Sequence, residues 1–380
     1  MTFAPALHPL PSGLINLDDH EAHARSLLDD NAWAYFAGGA ADELTLAANR
    51  QAWNRLQLWP RVLTTVAEGH TRTTLLGHPL ACPLLVAPMA LQTMAHADGE
   101  LAMAYAAAAL GAGMVLSTQA SQPLELIAQA VQDMPGAGPL WFQLYLQPDR
   151  EFTRALVQRA EAAGYQALVL TVDAPVNGVR DRERRAQFRA PAGVSAVNLQ
   201  GMRTAPSAVL SHDQSALFDA LLLHAPSWED LAWLRSITRL PIVLKGILHP
   251  DDARLALEHG ADGIIVSNHG GRTLDTAPPT AQVLERVVDI VRNSAAPHTP
   301  VLVDGGIRRG TDVLKALALG ADAVLVGRPA LWGLTNAGAA GAAHVLRLLR
   351  DELEAAMALT GCRTLADITS NVLLRHHMAL

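Results

Sequence analysis

The chain has 380 residues, half of them hydrophobic, and a formal net charge of −7 at neutral pH. That length suits one large domain or two ordinary ones, and the acidic balance offers no footprint for nucleic acid. Two cysteines, Cys82 and Cys362, lie far apart; this excludes a disulfide framework or metal-ligand spacing and suits a reducing compartment.

The N-terminal stretch MTFAPALHPLPSG lacks the basic-then-apolar order of a secretory signal. The uncharged run at 101–118, LAMAYAAAALGAGMVLST, is broken by glycines and shorter than the roughly 20 apolar residues of a membrane span. The expectation is a cytoplasmic protein without a membrane partner or a metal. Of the 29 basic residues only Lys245 and Lys315 are lysines, so each invites a reason for being lysine.

In chain order, residues 1–80 read as a helical extension. A barrel domain is expected over 81–360 and a tail over 361–380. Within the barrel one plan recurs: an Ala/Leu-rich helical stretch, a glycine, and two residues later a short β-branched run. It appears at 159–173, 255–269 and 315–329, with stops at Gly164, Gly260 and Gly320, and more loosely at 106–120 with Gly111. Glycine after a helix is a common cap, and an apolar run behind it reads as a buried parallel strand. LLVAP (84–88), LWFQLY (140–145), PIVLKG (241–246) and PVLVDG (300–305) bring the strands to eight. Helical patterns at 98–110, 122–133, 150–163, 228–237, 250–259, 280–293 and 310–319 separate most of them. The fold class predicted is α/β, a (β/α)8 barrel. A doubly wound sheet would carry a glycine-rich turn after its first strand, and VAPMALQT offers none. Residues 174–227 form a long insertion after the fourth strand, with the length of a lid.

The strand ends collect polar and ionisable groups: Ser117, Gln143 and Tyr145, Thr171 and Asp173, Lys245, Ser267 and His269, Asp304, and Gly327–Arg328. In this barrel class those ends form the active site. DGGIRRG (304–310) and VGRP (326–329) follow the last two strands, where glycine amides and arginines suit a phosphate. In VSNHGGRTLD (266–275), His269 suits proton transfer and Arg272 suits a carboxylate clamp. Asp173 could hold a histidinium, Arg180 could add a second carboxylate contact, and Lys245 suits charge neutralisation or a Schiff base. The residues alone imply a barrel enzyme with a phosphate site, a base and a carboxylate clamp, and leave the reaction open.

These stretches, with AGGAADELTLAANR (37–50), VAPMALQTMAHADGE (86–100), WFQLY (141–145), TVDAP (171–175) and VLKGI (243–247), resemble the FMN-dependent 2-hydroxy-acid oxidase and dehydrogenase family in the right order. That family includes glycolate oxidase, lactate oxidase, mandelate dehydrogenase and hydroxymandelate oxidase. The resemblance implies FMN as cofactor and oxidation of an (S)-2-hydroxy acid to the 2-oxo acid. It implies reoxidation by O2 with release of H2O2 or, alternatively, by another electron acceptor, and a homotetramer or homo-octamer. His269 resembles the base, Asp173 its support, and Tyr145 the hydrogen-bond partner of the reacting hydroxyl. Arg180 and Arg272 resemble the substrate-carboxylate arginines, and Lys245 the lysine beside the flavin. Pro88, Met89, Ala90, Ser117, Gln143, Thr171 and Ser267 resemble residues around the flavin ring. Asp304, Gly305, Gly306, Arg308, Gly327 and Arg328 resemble the ribityl and phosphate site.

Trp33 is read as standing where many members have a tyrosine that binds the substrate carboxylate, which disfavours very small acids such as glycolate. With Gln119 and Asn177 at the tail, the expectation is a substrate side chain larger than methyl. Two other phosphate-binding barrels fit less well. An inosinate-type dehydrogenase needs a loop cysteine, and FMN-type isopentenyl-diphosphate isomerase leaves Arg180 and Arg272 unexplained. A flavin-binding protein that has lost catalysis is the non-enzymatic alternative.

Overall fold

The computed structural model describes residue 5 and residues 7–203 and 210–374. Eight parallel strands close into a barrel in sequence order: β1 Leu84–Val86, β2 Gly113–Leu116, β3 Leu140–Leu144, β4 Leu168–Thr171, β5 Ile242–Ile247, β6 Gly263–Val266, β7 Val301–Val303 and β8 Ala323–Val326. Closure is the pairing of β8 with β1, Val324 opposite Leu84 through Val326 opposite Val86. Each strand is an almost unbroken apolar run because both of its faces are buried. Leu85, Val115, Trp141, Val169, Val243, Ile265, Leu302 and Leu325 fill the interior. Their alternating neighbours pack outward under the helices.

Those helices are α4 Gly99–Ala109, α5 Leu124–Val131, α6 Arg150–Ala162, α8 Glu229–Ile237, α9 Pro250–Glu258, α10 Thr280–Arg292, α11 Gly310–Ala318 and α12 Arg328–Thr360. The glycines after α6, α9 and α11 adopt φ of 89°, 77° and 96° at Gly164, Gly260 and Gly320, a left-handed stop that costs glycine no Cβ clash. α12 breaks at Ala337–Gly338, where the backbone leaves helical angles.

The extension is helical only as far as Arg55: α1 Leu17–Leu27, α2 Asp30–Ala37 and α3 Leu44–Arg55. Beyond it, Thr73–Leu75 pairs antiparallel with His78–Leu80. Leu75 and Leu80 of this hairpin join the interior cluster, so it packs against residues inside the barrel. Gln57–Leu58 pairs with Leu373–Leu374, tying the extension to the tail. In the insertion a one-turn helix, α7 Asp181–Arg185, is followed by tight turns at Val197–Leu199 and Leu221–His224. Among the described residues no helix is long and apolar enough to cross a membrane. Cys82 and Cys362 are buried and free.

Candidate active site

A cavity of about 1210 Å³ opens at the C-terminal strand ends, under the insertion. Within it the chain brings together nearly every residue singled out from the sequence. Pro88, Met89, Ala90, Ser117, Gln119, Gln143, Tyr145, Thr171, Asn177, Arg180, Lys245, His269 and Arg272 line it, as do Asp304, Gly305, Gly306, Arg308, Gly327 and Arg328. Asp173 and Ser267 stand one layer behind. The Asp173 carboxylate lies 2.9 Å from His269 Nδ1. The Ser267 hydroxyl accepts from Lys245 Nζ at 2.9 Å and from the His269 amide at 3.0 Å.

This clustering follows from the strand ends. β5 carries Lys245 and then bulges, with a register shift between Lys245 and Ile247. The bulge residue, Gly246, has φ of 115°, and a Cβ there would sit 2.4 Å from the Asp173 Cβ. Only glycine lets β4 deliver Asp173 beside β5. β6 ends in a loop where His269 itself adopts left-handed φ of 57°, a strained angle of the kind found where a side chain must be aimed.

Burial, followed by the charge of Lys245, holds His269 below the ordinary histidine pKa despite Asp173, so its imidazole is neutral at pH 7. Burial pushes Asp173 up, but His269 and Lys245 outweigh it and leave the carboxyl below its usual range. Burial also works against the charge of Lys245, yet Asp304 and Asp173 raise its pKa above the ordinary lysine value. Lys245 Nζ lies 3.4 Å from Asp304. The other lysine, Lys315, has a core role, donating to the Trp53 carbonyl at 3.0 Å. Burial pushes the Tyr145 hydroxyl up to about 12, so it remains a donor.

Across the cavity, Arg272 donates through Nη1 to the carbonyls of Tyr35 and Gly38 at 2.7 and 2.8 Å. Its guanidinium lies over the Tyr35 ring, 5.3 Å from the centroid. Arg180 Nε is buried without a hydrogen-bond partner among the described residues. The structure corrects the placement of Trp33. That side chain is stacked on Trp332, with ring centroids 4.9 Å apart, and has Arg25 over it; it is not among the residues lining the cavity. α2 instead presents Tyr35, two residues on, to the cavity and to Arg272. Tyr35 was not singled out from the sequence, and neither was Glu183, which contacts both arginines.

The far end of the cavity suits a phosphorylated, ring-bearing group. Gln143 bridges two strand ends, its Nε2 donating to Thr171 Oγ1 at 3.1 Å and its Oε1 accepting from Ser117 Oγ at 3.3 Å. Arg308 Nε and Asp304 Oδ1 are buried without hydrogen-bond partners among the described residues. Arg328 gives three donors to the carbonyls of Phe36, Gly270 and Gly38. Burial and then the charges of Arg272 and Arg308 lower Arg328 to about 9, and no carboxylate among the described residues pairs with it. It also opens α12, whose N-terminal turn favours negative charge. A buried Arg328 with no ion pair among the described residues, the orphaned Nε of Arg308 (whose Nη2 lies 3.7 Å from Glu21) and side-chain-free glycines together fit the phosphate and ribityl chain of FMN.

Comparison with known proteins agrees with this chemistry. A family model described as FMN-dependent dehydrogenase matches residues 24–375. The chain belongs to that family. Its cofactor is FMN. It is 50% identical to an L-lactate oxidase of Nostoc sp., over 95% of this chain and 98% of the relative. It is 45% identical to glycolate oxidase 1 of Zea mays, over 94% of each chain. It is 43% identical to human 2-hydroxyacid oxidase 1, over 97% of this chain and 98% of the relative. Among solved structures, mandelate oxidase with benzoyl-formic acid matches with a TM-score of 0.83 at 41% identity, covering 95% of this chain and 98% of that one.

Proposed function

We propose that the protein oxidises an (S)-2-hydroxy monocarboxylic acid to the 2-oxo acid, with O2 as final acceptor and H2O2 released. The carrying observation is the arrangement of the His269–Asp173 pair and the Arg180–Arg272 pair around one cavity, with Tyr145 also lining it. Arg180 and Arg272 hold the substrate carboxylate and so present the 2-carbon to the base. Because Asp173 engages Nδ1, His269 takes the substrate proton at Nε2, and the buried carboxylate stabilises the imidazolium that forms. Tyr145 donates to the reacting oxygen. FMN, when bound, would supply the acceptor for the two electrons and the other hydrogen that the substrate loses. Lys245, buried and cationic, would lie beside that acceptor and favour negative charge there. Arg308 and Arg328 would hold its phosphate, with Gly305, Gly306 and Gly327 leaving the backbone open to it.

Trp33 gives no ground for disfavouring small acids, since Tyr35 stands at the cavity in its place. Met89, Gln119 and Asn177 still line it, as do Leu199 and Trp228, and these support a side chain larger than methyl. The two buried free thiols fit a cytoplasmic setting, and the resemblance implies a homotetramer or homo-octamer, which light scattering of the purified protein checks. The visible spectrum of the anaerobic holoenzyme tests the reaction, taken before and after single enantiomers of acids from lactate to mandelate. Bleaching by an S-acid, with recovery and peroxide in air, is the expected result. Bleaching that air reverses only slowly would make it a dehydrogenase, and no bleaching by any acid would refute the reading.

A further inference from the structure

Glu183 is the one carboxylate in contact with both cavity arginines among the described residues. Its Oε1 lies 3.0 Å from Arg272 Nη2 and 3.3 Å from Arg180 Nη1. All three side chains are largely buried, with 14% of Glu183, 14% of Arg272 and 19% of Arg180 exposed. We infer that Glu183 sets the charge of the carboxylate pocket and thereby makes it selective for monoanionic acids. The inference rests on the reading of Arg180 and Arg272 as the substrate-carboxylate clamp.

Two guanidiniums that touch one oxygen repel each other, and burial strengthens that repulsion. One carboxylate between them leaves the trio with a single net positive charge, which one substrate carboxylate neutralises. A second acidic group nearby would meet Glu183 as a like charge in a poorly solvated place. Without Glu183 the same pocket would carry two positive charges and favour a dianion.

Glu183 does not act as the sole anchor of its arm. On the same one-turn helix α7, Arg182 pairs with Glu43 on the other side. Just beyond, Phe188 stacks on Tyr35 at 4.5 Å between centroids. The arm is therefore held at points that leave Glu183 free for a charge role. Nor do its bonds fill the arginines. Among the described residues Arg180 Nε has no hydrogen-bond partner, and Arg272 spends Nη1 on two carbonyls, so donors remain for the substrate.

The test uses calorimetric binding of propionate and malonate, which differ by a carboxylate in place of a methyl, to the FMN-loaded protein at neutral pH. The unmutated protein should bind propionate about threefold or more tightly than malonate. E183Q keeps the shape and acceptor while removing the charge; it should move the malonate-to-propionate affinity ratio toward malonate by about tenfold. E183D should keep the original preference. The neutral pair R182Q/E43Q, which loosens the arm without changing the trio, should leave the ratio unmoved. Tighter malonate binding by the unmutated protein overturns the inference even if E183Q does not fold. So does an E183Q ratio within twofold of the original, or an equal shift in R182Q/E43Q. If the unmutated holoenzyme binds neither acid, the clamp reading fails and takes this inference with it, a result distinct from an unmoved ratio.

Discussion

Asp173→Asn isolates what the buried carboxylate does for His269. The substitution keeps the side chain's shape and one acceptor oxygen at Nδ1, but removes the charge 2.9 Å from the ring. When His269 accepts a proton, a pair of full charges forms with centres about 4 Å apart; at an effective dielectric of 20 that is worth about 4 kcal/mol. The retained neutral hydrogen bond returns about 1 kcal/mol. The remaining loss of about 3 kcal/mol corresponds to a fall on the order of 100-fold in the rate of the proton-dependent step. The sign on pH follows as well. Without Asp173 the imidazolium is less stable, so the already lowered pKa of His269 drops further and the acid limb moves to lower pH as the plateau falls. Anaerobic stopped-flow reduction of the holoenzyme, monitored in the flavin band across pH, measures both. A rate within about fivefold of the original with an unmoved acid limb would refute the assignment.

Tyr35→Phe should raise KM for the hydroxy acid with FMN content unchanged, whereas Trp33→Phe should leave KM alone and cost about 1 kcal/mol of stability through the Trp332 stack; steady-state kinetics and thermal melts separate the two. Arg308→Met should weaken FMN binding about tenfold or more while leaving riboflavin binding little changed, because only FMN carries the phosphate; fluorescence titration of the apoprotein reads it. Gly246→Ala places a Cβ 2.4 Å from the Asp173 Cβ at φ 115°, so it should cost about 1–3 kcal/mol of stability and cut turnover through Asp173, seen in a melt and in kcat.

The barrel was legible because its physics is local. Buried parallel strands are continuous apolar runs, and glycines in the left-handed region end the helices before them, so 159–173, 255–269 and 315–329 announced strands and register at once. The strand-end residues were legible for the same reason. What depended on docking was not. Trp33 and Tyr35 sit two apart on α2, and only the packing of α2 against α12 decides that the indole faces Trp332 while the phenol faces Arg272. The hairpin at Thr73–Leu80 is too short for its alternation to stand out, and Pro79 argues against a strand. Of RDRERR (180–185) only Arg180 stood out from the sequence. The segment's one helical turn is pinned by Arg182 to Glu43 and by Glu183 to Arg272, partners more than 80 residues away.

One environment sets unlike protonation states in this site, and the partners decide which. Burial drives His269, Tyr145 and Lys245 alike toward their neutral forms. For the first two that is the working form: a free imidazole to take a proton, an intact hydroxyl to give a hydrogen bond. Lys245 escapes because Asp304 and Asp173 flank it and reverse the effect. The consequence is an asymmetric pH profile for kcat/KM. Its acid limb should lie below the ordinary histidine value of about 6.5, where His269 is protonated and the base is lost. Between pH 7 and 9 neither Tyr145, at about 12, nor the raised Lys245 should produce an alkaline limb. An acid limb centred above 7 would mean that Asp173 dominates burial at His269. An alkaline limb near 8 that Lys245→Arg abolishes would mean that the two aspartates do not hold the lysine's charge.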